Sequence, residues 1–320
     1  MKQKSPKNIV SLTGGLGNQL FQLALAVDIS EGNNVELEWG VGKPRLSTNG
    51  LPEICSFELP ANISLGRKRQ GGWLMAKSSG YLLRMGINPR WYEKSNYIKR
   101  LITKSAEVIC LFYFREKRDI SYSVGTGYSK LDDNSDPRFL VGYFQSFRWA
   151  ANAGTYSVMS ELKLKEYSSE YEYYKELALV EKPLIVHVRL GDYKSEADFG
   201  LLHPEYFTNI LNDRWSSGNF KKIWVFSDEI STAEKYFKKF QKEDIRFIQD
   251  VGNSTSLTFE VMRLGYGYII GNSSFSWWSA FLSRNSNASV TAPSPWFRNL
   301  REPVDLFPPS WSQCESRWQE

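Results

Sequence analysis

The segment His-Val-Arg-Leu-Gly-Asp-Tyr at 187–193 gathers an imidazole, a guanidinium and a carboxylate, at His187, Arg189 and Asp192, within six residues. The chain has only two histidines, and the run before this one, Lys-Pro-Leu-Ile-Val, reads as a buried strand. An apolar strand that ends in such groups delivers them to the rim of a sheet. In an open parallel sheet that rim, beyond the carboxyl ends of the strands, is where ligands sit. Arg189 can grip a phosphate with two parallel N–H groups. Asp192 can take a proton from a hydroxyl or hold Arg189 in place, and both roles stay open. Glu196, Asp198 and Glu229 are further candidates for a base.

Two more strand ends carry polar groups. Ser227, Asp228 and Glu229 follow the strand Lys-Lys-Ile-Trp-Val-Phe, and Asn272, Ser273, Ser274 and Phe275 stand where a helix begins. The unpaired N–H groups of a helix start favour an anion. Near the N-terminus, Thr-Gly-Gly-Leu-Gly-Asn-Gln lies between a strand at 8–13 and a helix from 19. Gly15 and Gly17 make half of a dinucleotide fingerprint, whose third glycine would fall at Leu20. Glu36 or Glu38 is spaced to meet a ribose, so a nicotinamide-dependent oxidoreductase is one alternative. A tight turn with no ligand is another.

The elements that must position these groups follow from periodicity. Leu20, Leu23, Ala24 and Val27 line one face of the first helix, and a second strand is expected at 35–39. A strand at 138–146 and one Tyr-rich amphipathic helix over 157–180 lead to Pro183. A second α/β series then begins: strands at 184–189, 221–229 and 245–249, a capping box Ser-Thr-Ala-Glu at 231–234, a helix near 256–264, a strand to Gly271 and a helix from Phe275. The chain therefore reads as two α/β halves, 1–180 and 181–320, the second with an irregular tail. His203 is expected in a loop or cap, and Trp277 and Trp278 in the core.

Composition fits a globular protein, with 42% apolar residues and 15% aromatics. Three cysteines without paired spacing (Cys55, Cys110, Cys314) argue against a disulfide framework. No run approaches the ~18 apolar residues of a membrane span, and the N-terminus lacks a signal-peptide core. A cytoplasmic location is expected. Net charge is +5, but residues 67–118 alone hold 13 Lys or Arg against three Glu, interleaved with Trp73, Tyr81, Trp91, Tyr92 and Tyr97. Such a stretch suits a solvated basic face, an anionic membrane surface or nucleic acid.

Five motifs in order, Gly-Gly-Leu-Gly-Asn-Gln-Leu-Phe-Gln-Leu-Ala, Phe-Leu-Val-Gly-Tyr-Phe-Gln-Ser-Phe-Arg-Trp, His-Val-Arg-Leu-Gly-Asp-Tyr, Phe-Ser-Asp-Glu and Ile-Ile-Gly-Asn-Ser-Ser-Phe-Ser-Trp-Trp-Ser-Ala-Phe-Leu, resemble those of the bacterial α1,2-fucosyltransferases from about residue 9 to 297. The resemblance implies a GT-B fold, two Rossmann-like domains facing across a cleft, and an inverting transfer of fucose from GDP-fucose that needs no metal and no cofactor. The implied acceptor is a galactose-containing oligosaccharide or lipid-linked glycan of a surface polysaccharide such as an O-antigen; another linkage, or a protein that binds without turnover, is the alternative. On it, Arg189 and Asp192 are catalytic. Gly15, Gly17, Asn18, His187, Arg189, Ser227, Asp228, Asn272, Ser273, Ser274 and Phe275 bind the donor. No nucleic-acid partner is implied, and a lipid-linked acceptor would bring 67–118 to the inner membrane face. The chain departs from the family pattern at Leu190, where a basic residue is usual, at Glu229, and at Thr258, where an acid is usual and Glu260 follows two residues on. Asp132, Asp133 and Asp136 are acids of the kind that hold a divalent cation in a GT-A enzyme, but they precede a strand and are expected in a solvated loop.

Overall fold

The computed structural model describes residues 8–66 (without 41 and 43), 119–122, 126–131 (without 129), 138–216 and 219–319, with isolated residues between 78 and 108. The chain forms two compact units, residues 1–163 with 301–307, and residues 164–300 with 308–320.

In the first unit, β1 (Asn8–Ser11) leads into α1 (Leu16–Asp28) and β2 (Val35–Glu38), followed by β3 (Ile63–Leu65), β4 (Asp119–Tyr122) and β5 (Arg138–Val141). All pairings are parallel, in the order β3-β2-β1-β5-β4. Every residue of β1 is buried, as a strand covered on both faces must be. Helix α1 is buried from Leu16 to Ala26 save Asn18, so its apolar face is wider than one stripe. Its two buried glutamines serve the backbone. Gln22 accepts from Thr13 N–H and donates to Gly142 O. Gln19 donates to Gly14 O and Arg45 O and accepts from Ile54 N–H. Two short helices follow, α2 (Arg148–Ala151) and α3 (Ala153–Ser160).

The second unit opens with α4 (Ser169–Glu181). The single helix expected over 157–180 is thus two, because Ser168 accepts from Tyr171 N–H and starts α4 afresh. The boundary expected at 180 also lies on the far side of α4. That helix packs on the second sheet: Glu181 accepts from Trp224 Nε1 at 2.5 Å and from Arg246 at 2.6 Å, and Glu170 accepts from Gly252 N–H. The strands are β6 (Pro183–Val188), β7 (Lys222–Ser227), β8 (Ile245–Ile248), β9 (Gly267–Ile269), β10 (Ser289–Ser294) and β11 (Ser312–Glu315). The helices between them are α5 (Pro204–Trp215), α6 (Ile230–Tyr236), α7 (Thr255–Met262) and α8 (Ser274–Phe281). The sheet is wholly parallel, in the order β11-β10-β9-β6-β7-β8.

Two α/β units, each on a parallel sheet, bear out the fold class read from the sequence. Strands β10 and β11 were not expected; Pro293 and the short Ser-Gln-Cys-Glu run hide them. The capping box at 231–234 is displaced, since α6 begins at Ile230 with Glu229 as its N-cap, and Ser231 lies inside the helix.

Candidate functional site

The second sheet changes direction beside β6. The chain lays β7 and β8 on one side of it, then returns to lay β9 on the other. The carboxyl ends of β6 and β9 therefore flank a topological switch point, the place where such sheets bind ligands. Gly271 N–H donates to His187 O at 3.1 Å and ties the two ends together.

Arg189 stands at this point with its guanidinium held from two sides. Its Nε and one terminal nitrogen donate to Asp192 Oδ1 at 3.0 and 2.7 Å, and the other terminal nitrogen lies 3.1 Å from Asp228 Oδ2. Asp228 Oδ1 accepts from Leu190 N–H at 2.9 Å, so one carboxylate fixes both the arginine and the turn after it. Gly191 permits this approach, because a Cβ there would come within 2.6 Å of Asp228 Oδ2. The Arg189 side chain is still 21% exposed, while Asp192 is 52% exposed. Tyr193 adds a ring 5.7 Å from the guanidinium and donates from its hydroxyl to Asn272 O. Neither Tyr193 nor Gly271 was singled out from the sequence; both are visible only once β6 and β9 are known to be neighbours.

His187 is buried beneath the rim, 6.0 Å from the Phe275 ring, and its Nδ1 has no hydrogen-bond partner. Burial, reinforced by the Arg189 charge, pushes its pKa down to about 4. It is therefore a neutral imidazole at pH 7. Helix α8 begins at the same rim, and its N-cap Ser273 makes no side-chain capping bond. Ser273 is buried, while Ser274 and Phe275 are partly exposed. The arrangement offers a fixed guanidinium and helix N–H groups to an anion.

Other expected site residues are turned to the protein. Ser227 Oγ accepts from Glu229 N–H, and Glu229 pairs with Lys194. The Asn272 amide donates to Phe199 O and Gly200 O, each at 3.1 Å, and so holds the loop that follows β6. Leu190 is fully buried in the apolar core, so a basic residue at this position would lose its hydration. Thr258 accepts from Val251 N–H and donates to Ser254 O. Glu260 stands two residues after Thr258 on α7. It is fully buried and paired with Arg263 at 2.5 Å and Arg284 at 2.8 Å. His203 caps α5 by accepting from Glu205 N–H, and Trp277 and Trp278 are fully buried, as expected.

Gly15, Gly17 and Asn18 belong to the first unit, at its own switch point between β1 and β5. Gly15 is the N-cap of α1 and Gly17 lies within the helix, so the turn itself is made by Gly14, at φ +70°. The start of α1 is already occupied by an acid of the protein: Leu16 N–H donates to Glu53 Oε2 at 2.6 Å. Glu38 is turned inward to Gly40 N–H and Ser11. Asn18 accepts at Oδ1 from Gln145 Nε2 at 2.8 Å.

Asp132, Asp133, Asp136, Cys110, Trp73, Trp91 and Tyr92 lie outside the described residues. Among the described residues no group of three or more His, Cys, Asp or Glu side chains is gathered to hold a metal, and no helix is long and apolar enough to cross a membrane.

The model of glycosyl transferase family 11 matches residues 128–314. An α-1,2-colitosyltransferase of Escherichia coli is 28% identical over 326 residues, 97% of either chain. The O-antigen biosynthesis glycosyltransferase WbnK of E. coli is 28% identical over 120 residues, 35% of this chain and 38% of its own. Among solved structures, fucosyltransferase NodZ from Bradyrhizobium aligns with a TM-score of 0.45 at 13% identity over 86% of this chain and 93% of its own. E. coli ADP-heptose heptosyltransferase II aligns with a TM-score of 0.49 at 9% identity over 96% and 90%.

Proposed function

Because the chain belongs to glycosyl transferase family 11, we propose that it moves L-fucose, or a close deoxy relative, from a GDP-sugar to the 2-hydroxyl of a galactoside, with inversion and without a metal. The observation that carries this reading is Arg189, held at the switch point beside the open start of α8. Departure of GDP puts negative charge on the β-phosphate, and a fixed guanidinium with helix N–H groups would meet it there. Asp192 and Asp228 keep Arg189 in place before the donor arrives, which lowers the cost of ordering it. Neutral His187 fills the floor without adding charge. Asp192, half exposed on the rim, is the proposed base for the acceptor hydroxyl.

The colitosyl relative bears on the choice of donor. Colitose is fucose without its 3-hydroxyl, so the two donors differ by one hydrogen-bonding group. The name of the second relative supports a place in O-antigen assembly. For a lipid-linked acceptor we propose peripheral contact with an anionic membrane through the 67–118 stretch. In support, Tyr97, Ile98, Leu101, Ile102 and Val108 are exposed at helical spacing within it.

The test is turnover of GDP-fucose, GDP-colitose, GDP-mannose and UDP-galactose with lactose and methyl β-galactoside, with the product linkage read by NMR. A new α1,2 bond from GDP-fucose or GDP-colitose is the expected result. Transfer from UDP-galactose alone would sink the reading.

A further inference from the structure

The rim that holds Arg189 carries more negative than positive charge before any ligand arrives. Residues 189–194 and 227–229 hold two cations, Arg189 and Lys194, against three carboxylates, Asp192, Asp228 and Glu229. Arg189 already answers two of those acids, Asp192 at 2.7 Å and Asp228 at 3.1 Å. A diphosphate adds negative charge of its own, so a second cation is needed to receive it. Residue 190 cannot supply one, because Leu190 is fully buried in the apolar core.

Lys194 is built into the same turn. It ends the short 3-10 helix Asp192–Lys194, and its N–H donates to Leu190 O at 3.2 Å and to Gly191 O at 3.3 Å. Its ammonium pairs with Glu229, the residue after the Asp228 that holds Arg189. Val188 and Ser227 are partners in the sheet, so both ion pairs stand at neighbouring ends of β6 and β7. The Lys194 and Glu229 side chains are 47% and 32% exposed, so water screens this pair and it contributes little by itself. Glu229 does not depend on it, since Thr232 Oγ1 donates to the same carboxylate oxygen at 3.2 Å. A lysine ammonium is a point charge on a flexible stem and can change partners.

We propose that Lys194 is a second cation for the donor diphosphate: it rests on Glu229 in the free protein and turns to the phosphates beside Arg189 when the nucleotide binds. The inference rests on the proposed GDP-sugar donor. It moves the second phosphate-side charge from position 190, where the family pattern has it, to position 194.

The test is calorimetric titration of GDP into wild type, Lys194→Gln, Lys194→Arg, Glu229→Gln and the double variant Lys194→Gln with Glu229→Gln. Because the pair is exposed, every variant should melt with wild type. Lys194→Gln should bind GDP about tenfold more weakly, the size of one charge-assisted hydrogen bond, and Lys194→Arg should keep most of the affinity. Glu229→Gln frees the lysine from its rival and should tighten GDP binding. That gain should vanish in the double variant, whereas a gain from mere removal of negative charge would persist there. Wild-type affinity in Lys194→Gln, an equal gain from Glu229→Gln in both backgrounds, or a loss of affinity that tracks a loss of thermal stability would overturn the inference while leaving the donor in place. A wild-type protein that binds no GDP would remove the donor reading, and the role of Lys194 with it.

Discussion

Replacing Glu260 with glutamine separates two readings of one acid. Family pattern places an acid at 258, and Glu260 is the nearest one in sequence. In a helix, residues two apart point roughly 200° from one another, so Glu260 faces away from wherever Thr258 points. Its carboxylate is fully buried between Arg263, itself 1% exposed, and the half-exposed Arg284. Arg263 otherwise donates to Leu282 O. Burial already pulls the Arg263 guanidinium below its ordinary pKa, with Glu260 beside it in opposition. Neutralising the acid leaves that cation without its counter-charge, at a cost of about 3–5 kcal/mol. For a unit of this size each kcal/mol moves the melting temperature by roughly 2–4 °C, so a fall of about 6–20 °C is expected. Differential scanning calorimetry reads it, and GDP titration well below the transition should show wild-type affinity. Wild-type melting with weakened GDP binding would refute the reasoning and return Glu260 to the nucleotide.

His187 links stability to pH. Its folded pKa of about 4 lies below the ordinary 6.5, so between these values the unfolded chain binds more protons. Its contribution is complete above pH 6.5 and is lost as pH falls toward 4, about 3 kcal/mol in all. Urea titrations across that window should show a shallower slope in His187→Phe. Glu53→Ala should cost the first unit about 1–2 kcal/mol by uncapping α1, seen as an earlier urea transition, with GDP binding intact. The chain should sediment with anionic vesicles at low salt and be released at high salt; no binding at low salt would end the membrane proposal.

The family and fold class were legible in the sequence because their signals are local: glycine turns, buried strands such as β6, and polar groups at strand ends. Arg189 and α8 could be placed on one rim without knowing the strand order. What could not be read depends on neighbours distant in sequence. Gly15 and Gly17 match a phosphate turn by spacing, but that Glu53, 37 residues beyond Leu16, accepts from the Leu16 N–H is seen only in the fold. Spacing likewise gives no sign that Asn272 holds the loop at 199–200 or that Ser227 accepts from Glu229 N–H. The break between α3 and α4 is set by Ser168, one serine among several in a Tyr-rich run.

The most direct measurement is calorimetric titration of GDP into wild type and Arg189→Ala. Arg189 offers a fixed positive charge at the switch point, and charge-assisted hydrogen bonds contribute about 1.5–3 kcal/mol. Wild type should bind GDP, and the variant should bind it at least ten- to a hundredfold more weakly at unchanged melting temperature. Equal affinity in the two proteins would contradict the assignment of the diphosphate to the ends of β6 and β9.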